Sequence, residues 1–150
     1  MRGLIQRVSE ASVVVEGMTV GKVGRGMLLL LGIQKGDDHA QLDKLLDKVL
    51  AYRIFPDDAG HMNLSLTDIV GDLLIVSQFT LAADTKKGLR PSFSSAAAPD
   101  VAEEIYDEFV LRANIRCTEH KCAKVQTGLF GADMKVALLN DGPVTFLLET

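Results

Sequence analysis

Apolar and polar residues alternate in ways that divide the chain into distinct segments. Residues 3–8 (GLIQRV) and 12–15 (SVVV) are rich in apolar and β-branched side chains, the composition of strands. Glu16-Gly17 offers a turn into a short strand near Thr19 to Val23, which predicts a hairpin. Residues 27–33 form a continuous apolar run, consistent with a strand buried on both faces. From Asp38 to Ile54 the period lengthens. Leu42, Leu45, Leu46, Val49 and Arg53 recur at helical spacing, with Asp37 or Asp38 available as N-cap. Residues 73–79 (LLIVSQF) return to strand character, and a polar loop, TKKGLRPSFSS, follows. Pro99 reads as the first residue of a second helix with a buried stripe of Val101, Ile105 and Phe109. Strands near 121–126, 134–139 and 144–149 complete the chain.

The order ββ, βαβα, βββ predicts a mixed sheet with helices on one side and an antiparallel extension, an α/β fold with mixed α+β character. No linker, repeat or composition break divides the 150 residues, so one domain over residues 1–150 is expected. One junction resists this reading. Asn140-Asp141-Gly142 suits a hairpin turn, but Pro143 fixes φ and removes an N–H where the next strand should begin pairing.

Bulk properties narrow the function. Hydrophobic content of 47% with 24% charged residues describes a soluble globular protein. The longest apolar stretch, Met27 to Leu31, is too short to span a bilayer, and MRGLIQRV lacks the apolar segment of a signal peptide. A cytoplasmic protein without a membrane partner is expected. The net charge of −4 argues mildly against broad binding to nucleic-acid backbone but leaves a small contact with an RNA end open, since local patches such as Lys86, Lys87 and Arg90 matter more than totals. Cys117 and Cys122 are too few for a disulfide framework.

Several motifs invite chemistry and then lose it. GKVGRG (Gly21, Gly24, Gly26) is not G-x-G-x-x-G and leads into a strand, so it reads as a turn. CTEHKC offers Cys117, His120 and Cys122 but no fourth ligand, so no metal is expected. No cofactor is implied. His61 follows a Gly-containing turn and has no evident orienting partner, and no G-x-S-x-G elbow occurs. SQFTL, residues 77–81, is different, because it places Ser77, Gln78 and Thr80 at the end of a buried strand. A rigid sheet presents chemistry at such ends, yet these side chains equally suit the satisfaction of loop backbone groups.

Taken together, RGLIQRV, GHMNLSL, SQFTL, KGLRPSF (87–93), TGLFGADM (127–134) and NDGPVT (140–145) resemble the D-aminoacyl-tRNA deacylase family over essentially the whole chain. SQFTL followed by N-x-G-P-V-T is the specific pair. The resemblance implies a compact three-layer α/β/β homodimer with its active site at the subunit interface. It implies hydrolysis of the ester of D-aminoacyl-tRNA, a quality-control reaction of translation, with the aminoacylated 3′ end of tRNA as partner rather than DNA. Ser77, Gln78, Phe79 and Thr80 would form the catalytic segment. Gly142-Pro143, as a cis peptide, would enter the neighbouring subunit's site, with Arg7 holding the loop. Phe130 and Met134 would line the place of the terminal adenine.

That chemistry has a physical logic. Carbonyls turned into the site would capture the substrate ammonium and exclude a side chain on the L face of the α-carbon. Glycine has no side chain to exclude, so glycyl-tRNA, including glycine mischarged on tRNA-Ala, would also be cleaved. Thr80 has no adjacent base to activate it. Backbone N–H groups near Phe79 and Thr80, together with the substrate's 2′-OH, are therefore expected to carry the hydrolysis. Two rivals remain from the residues alone: an RNA-end binding module without chemistry, and a general esterase with Thr80 as nucleophile.

Overall fold

The computed structural model of the protein describes residues 1–86, 88–120 and 122–150. Among the described residues, eight strands, β1 (Arg2–Val15), β2 (Met18–Val23), β3 (Gly26–Gly32), β4 (Phe55–Pro56), β5 (Met62–Leu64), β6 (Asp72–Ser77), β7 (Val125–Thr127) and β8 (Lys135–Glu149), accompany two helices, α1 (His39–Ala51) and α2 (Pro99–Glu119). The main sheet runs β2-β1-β3-β6-β7, with β8 also paired to β1. Pairs β3–β6 and β6–β7 are parallel, and the others in this sheet are antiparallel.

The length of β1 creates the layers. Residues 2–8 pair with β3, residues 11–15 pair with β2, and β8 follows β1 from Arg2–Glu149 to Val14–Lys135. The far half of β1 carries β2 back over the central sheet. Gly21 marks the closeness of that packing, since a Cβ there would lie 2.4 Å from the Thr127 carbonyl oxygen. One core lies between helices and sheet, joining Leu29, Leu31 and Ile75 to Leu45 and Leu46 of α1 and Phe109 of α2. A second, between the β layers, gathers Val8, Val13, Val23, Leu28, Leu74 and Val76. The mixed α+β, three-layer architecture agrees with the expectation. The first hairpin turns at Glu16 (φ +49°) and Gly17 (φ +81°), a left-handed pair that matches strand twist.

Several boundaries differ from the expectation. Asp38 is the N-cap of α1 and forms a capping box with Gln41, but the helix ends at Ala51. Arg53 lies beyond it and donates to the Asn63 side chain at 3.3 Å. The extended bias of Phe55, which precedes Pro56, and the burial of Ile54 and Phe55 turn the chain out of the helix. In α2, Ile105, Tyr106, Phe109, Ala113 and Cys117 are buried, whereas Val101 is 45% exposed in an open groove beside the start of α1. Strand β6 stops at Ser77, and Phe79–Ala82 form a 3-10 turn.

The last two predicted strands are one. β8 runs through Asn140-Asp141-Gly142-Pro143 rather than turning back, and residues 141–144 stand opposite Arg7 alone, between the pairs Gln6–Thr145 and Val8–Asn140. The third late strand is limited to β7, and Lys121 lies outside the described residues. Within GKVGRG, Gly21 and Gly26 serve packing, a Cβ on Gly26 meeting the Asp72 carbonyl oxygen at 2.0 Å, whereas a Cβ on Gly24 would make only ordinary contact. Among the described residues, no helix is long and apolar enough to cross a membrane.

Candidate active site

Strand β6 is buried from Leu73 to Val76 and delivers Ser77 and Gln78 to the surface. The Gln78 N–H donates to the Leu31 carbonyl at 2.7 Å, which ties the end of β6 to β3. Gly32 makes this crossing possible, because a Cβ there would lie 2.8 Å from Cβ of Leu81 and 3.1 Å from the Gln78 carbonyl oxygen. The 3-10 turn then closes with Leu81 N–H on the Gln78 carbonyl at 3.1 Å. Its opening N–H groups, on Phe79 and Thr80, have no acceptor within the turn. Both residues are exposed. The Gln78 side-chain amide and the Thr80 hydroxyl meet at 2.5 Å. An amide takes no proton at neutral pH in either orientation, so Thr80 has no general base there.

Ser77–Phe79 form a wall between two hollows. The larger, about 460 Å³, is lined by Leu31, Ile33, Phe79, Phe93 and Phe130 and is mostly apolar. The smaller, about 240 Å³, is bounded by Val76, Ala132, Met134 and Val136. Phe130 and Met134 thus sit on opposite sides of the same wall. Gly128 holds that arrangement: its N–H donates to the Ile75 carbonyl at 2.9 Å, and a Cβ on it would lie 2.5 Å from the Met134 sulfur.

Two residues near this wall were not singled out from the sequence. Phe93 packs against Phe79 with ring centroids 5.0 Å apart. Tyr106 supports Phe130 at 5.7 Å and donates its hydroxyl to the Ile75 carbonyl at 3.0 Å. Burial, and then the nearby Asp107 carboxylate, push the Tyr106 phenol well above its usual range, so it remains a donor. Phe93 could have been flagged by its place in KGLRPSF. Tyr106 carries no such signal, because a helical aromatic reads as core.

Arg7, Gly142 and Pro143 form a separate cluster that lines neither hollow. The Arg7 side chain is 12% exposed. Its Nε donates to the Asp141 carbonyl at 2.7 Å, and Nη1 donates to the Ile54 carbonyl at 2.6 Å. Nε also lies 3.4 Å from the Asp141 carboxylate. Asn140 closes the extruded segment from the other side, accepting from Val144 N–H at 2.7 Å and donating to the Thr145 hydroxyl at 3.0 Å. The Gly142–Pro143 peptide is cis, and Gly142 has φ +153°, a conformation that favours glycine. Arg7 Nη2 would lie 3.3 Å from a Cβ at that position.

The remaining candidates fall outside these clusters. His61 is exposed at the entry to β5. Cys117 is buried in the core, where contact with Cys122 and burial hold its thiol above the usual range; His120 is the C-cap of α2. Lys86 and Arg90 are exposed on the loop after the 3-10 turn, while Lys87 lies outside the described residues.

Comparison with known proteins gives a consistent picture. The family model described as D-Tyr-tRNA(Tyr) deacylase matches residues 4–149. A D-aminoacyl-tRNA deacylase of Photobacterium profundum is 59% identical over 149 residues, covering 99% of each chain. One of Cellvibrio japonicus is 61% identical over 149 residues with the same coverage. Among solved structures, the c-Myc DNA Unwinding Element Binding Protein superposes with a TM-score of 0.93 at 38% identity, covering 100% of this chain and 99% of its own. A probable eukaryotic D-amino acid tRNA deacylase, at 20% identity, shares the fold with a TM-score of 0.82 over 99% of this chain and 98% of its own. With its strand-end segment, its Arg7-held loop and a family match over nearly its full length, the chain belongs to the D-Tyr-tRNA(Tyr) deacylase family.

Proposed function

We propose that this protein is a hydrolase that cleaves the ester of D-aminoacyl-tRNA in the cytoplasm, releasing the amino acid and reusable tRNA. The observation that carries this reading is the Ser77–Thr80 segment: a buried strand that ends beside two hollows in a turn whose first residues, Phe79 and Thr80, are exposed and have no backbone acceptor for their N–H groups among the described residues. The terminal adenosine is received at this wall, with its base in the larger hollow against Phe130 and Met134 bounding the hollow beside it, through packing of the kind used for unpaired bases. The ester carbonyl then lies at the turn, where the Phe79 and Thr80 N–H groups stabilise the developing oxyanion.

Water is the nucleophile, and the substrate's free 2′-OH assists its attack. The pairing of the Thr80 hydroxyl with an amide rather than a base, among the described residues, supports this route over an acyl-enzyme. Dependence on the 2′-OH makes RNA, not DNA, the partner.

The Gly142-Pro143 loop supplies chirality from a second subunit of a two-fold homodimer, placing carbonyls against the substrate ammonium and the L face of the α-carbon. This reading is supported by the separation of that loop from the two hollows within one chain. Glycyl-tRNA, including glycine on tRNA-Ala, escapes exclusion and is cleaved.

The test is kcat/KM for paired D- and L-aminoacyl-tRNA, with substrate ending in 2′-deoxyadenosine as a third arm. Cleavage of D- and glycyl-substrates, sparing of L-substrates and poor reaction of the deoxy substrate are expected. Thr80→Ala should keep substantial activity. Normal cleavage of the deoxy substrate together with an inactive Thr80→Ala would restore the esterase reading. Binding of tRNA without deacylation would leave an RNA-end binding module.

A further inference from the structure

We infer that the tip of the loop spanning Asp84 to Ser92 is a phosphate-binding arm for the unpaired nucleotides that precede the terminal adenosine of the substrate. This inference rests on the proposed aminoacyl-tRNA substrate and adds a contact outside the reacting centre.

The base of the loop is fastened to the candidate site. Asp84 and Ser92 exchange both backbone hydrogen bonds, at 2.8 and 3.0 Å. Directly after that rung, Phe93 packs on Phe79 with centroids 5.0 Å apart. Two residues further on, the Ser95 hydroxyl donates to the Ala82 carbonyl at 2.5 Å, and the Lys35 N–H donates to the Ser95 carbonyl at 3.0 Å. The loop base is therefore fixed to both the 3-10 turn and the segment after β3. Phe93, which follows the loop, lines the larger hollow.

The tip has the chemistry of a polyanion contact. Lys86 and Arg90 are exposed, and among the described residues neither takes part in an ion pair. Leu89, between Gly88 and Arg90, is fully exposed, as expected of an apolar group presented to a partner rather than to the core. The one acid in the loop, Asp84, accepts the Lys86 N–H at 2.9 Å and so sits at the base. A chain of net charge −4 repels a nucleic acid overall. Cations placed beside the site reverse that repulsion locally, where the strand must enter. A loop that kept its cations only for solubility would need no fixed base beside the larger hollow.

The experiment compares the wild type with Lys86→Ala/Arg90→Ala on two substrates. One is D-aminoacyl-tRNA and the other is the same D-aminoacyl group on the 3′-oxygen of adenosine, which has no phosphate. The double variant should lose about ten-fold or more in kcat/KM on the tRNA at low salt and should match the wild type on the adenosine ester. Its plot of log kcat/KM against log salt on the tRNA should be shallower by about 1.4, at ~0.7 per phosphate contact to a single strand. Lys86→Arg/Arg90→Lys should retain wild-type activity.

Equal loss on both substrates, or an unchanged salt slope, would overturn the inference. If the wild type cleaves only the tRNA, the salt slope alone decides. If the wild type cleaves neither substrate, the proposed function fails instead, and the two failures are thereby told apart.

Discussion

Replacing Arg7 with alanine removes two charge-assisted hydrogen bonds to backbone carbonyls, one on Asp141 and one on Ile54. A hydrogen bond to a charged group contributes about 1.5–3 kcal/mol net. Asp141 is exposed, so water replaces part of its loss, while Ile54 is buried and its carbonyl has less access to solvent. The expected cost is roughly 2–4 kcal/mol. For a domain of this size that corresponds to a fall in Tm of roughly 5–15 °C. Arg7→Lys should recover only part, because an ammonium cannot reproduce the fork that spans the two carbonyls. Asp141→Asn should cost less than about 0.5 kcal/mol, since the carboxylate is 53% exposed and the carbonyl holds the loop.

Function separates from stability in this series. If the bond to the Asp141 carbonyl keeps residues 141–144 in their catalytic orientation, its loss lowers kcat/KM on D-aminoacyl-tRNA by roughly ten- to a hundred-fold, at 1.4 kcal/mol per decade. Discrimination between D- and L-substrates should narrow as well. The assay is single-turnover deacylation at a temperature where circular dichroism shows the variant folded. A variant that loses Tm as calculated yet keeps wild-type kcat/KM and D/L ratio would refute the catalytic role of this loop.

Tyr106→Phe should cost about 0.5–1.5 kcal/mol by denaturant unfolding, because the Ile75 carbonyl keeps the Gly128 N–H as partner. Gly26→Ala should abolish soluble expression, since its Cβ would meet backbone of Asp72 at 2.0 Å. Gly128→Ala, which meets the movable Met134 sulfur at 2.5 Å, should fold with a cost of about 1–3 kcal/mol and a raised KM for tRNA. Asp68 accepts the Ser65 hydroxyl and N–H, which lower its pKa below the ordinary 3.8. A carboxylate depressed in the folded state contributes stability above its unfolded pKa and loses it as pH falls through the folded value. Asp68→Asn should therefore flatten the loss of Tm below about pH 4.

Periodicity made the core legible where a segment keeps one partner throughout. Leu42, Leu45, Leu46 and Val49 recur at helical spacing because a single face of α1 meets the sheet, and all four are buried. The same rule misplaced Val101 and Arg53, which extend those patterns beyond the surface that buries them. The apolar side chain of Phe79 extends the strand pattern of LLIVSQF, although the backbone has already turned. In β8 the apolar runs on either side of the Asn140–Pro143 segment have the pattern of two strands. A four-residue extrusion within one strand leaves the same local pattern as a hairpin, and only the register against Gln6 and Val8 separates them.

The end of β6 at Ser77 is legible in the sequence, whereas what covers β8 is not. Apolar composition reports that a residue is destined for burial, but not by which chain. Leu138 and Leu139 are 37% and 59% exposed, and Phe146 and Leu147 are 37% and 50% exposed. Adjacent residues on a strand point to opposite faces, so each pair leaves both faces of β8 apolar and incompletely covered. A strand built this way needs cover on both sides. Among the described strands, β8 pairs only with β1, which leaves its other edge open as well. In the proposed homodimer, a second copy of the chain seated along β8 would supply that cover. On this geometry, substitutions at Leu139 or Leu147 that dissociate the dimer should abolish deacylation without disturbing either cluster within its own chain.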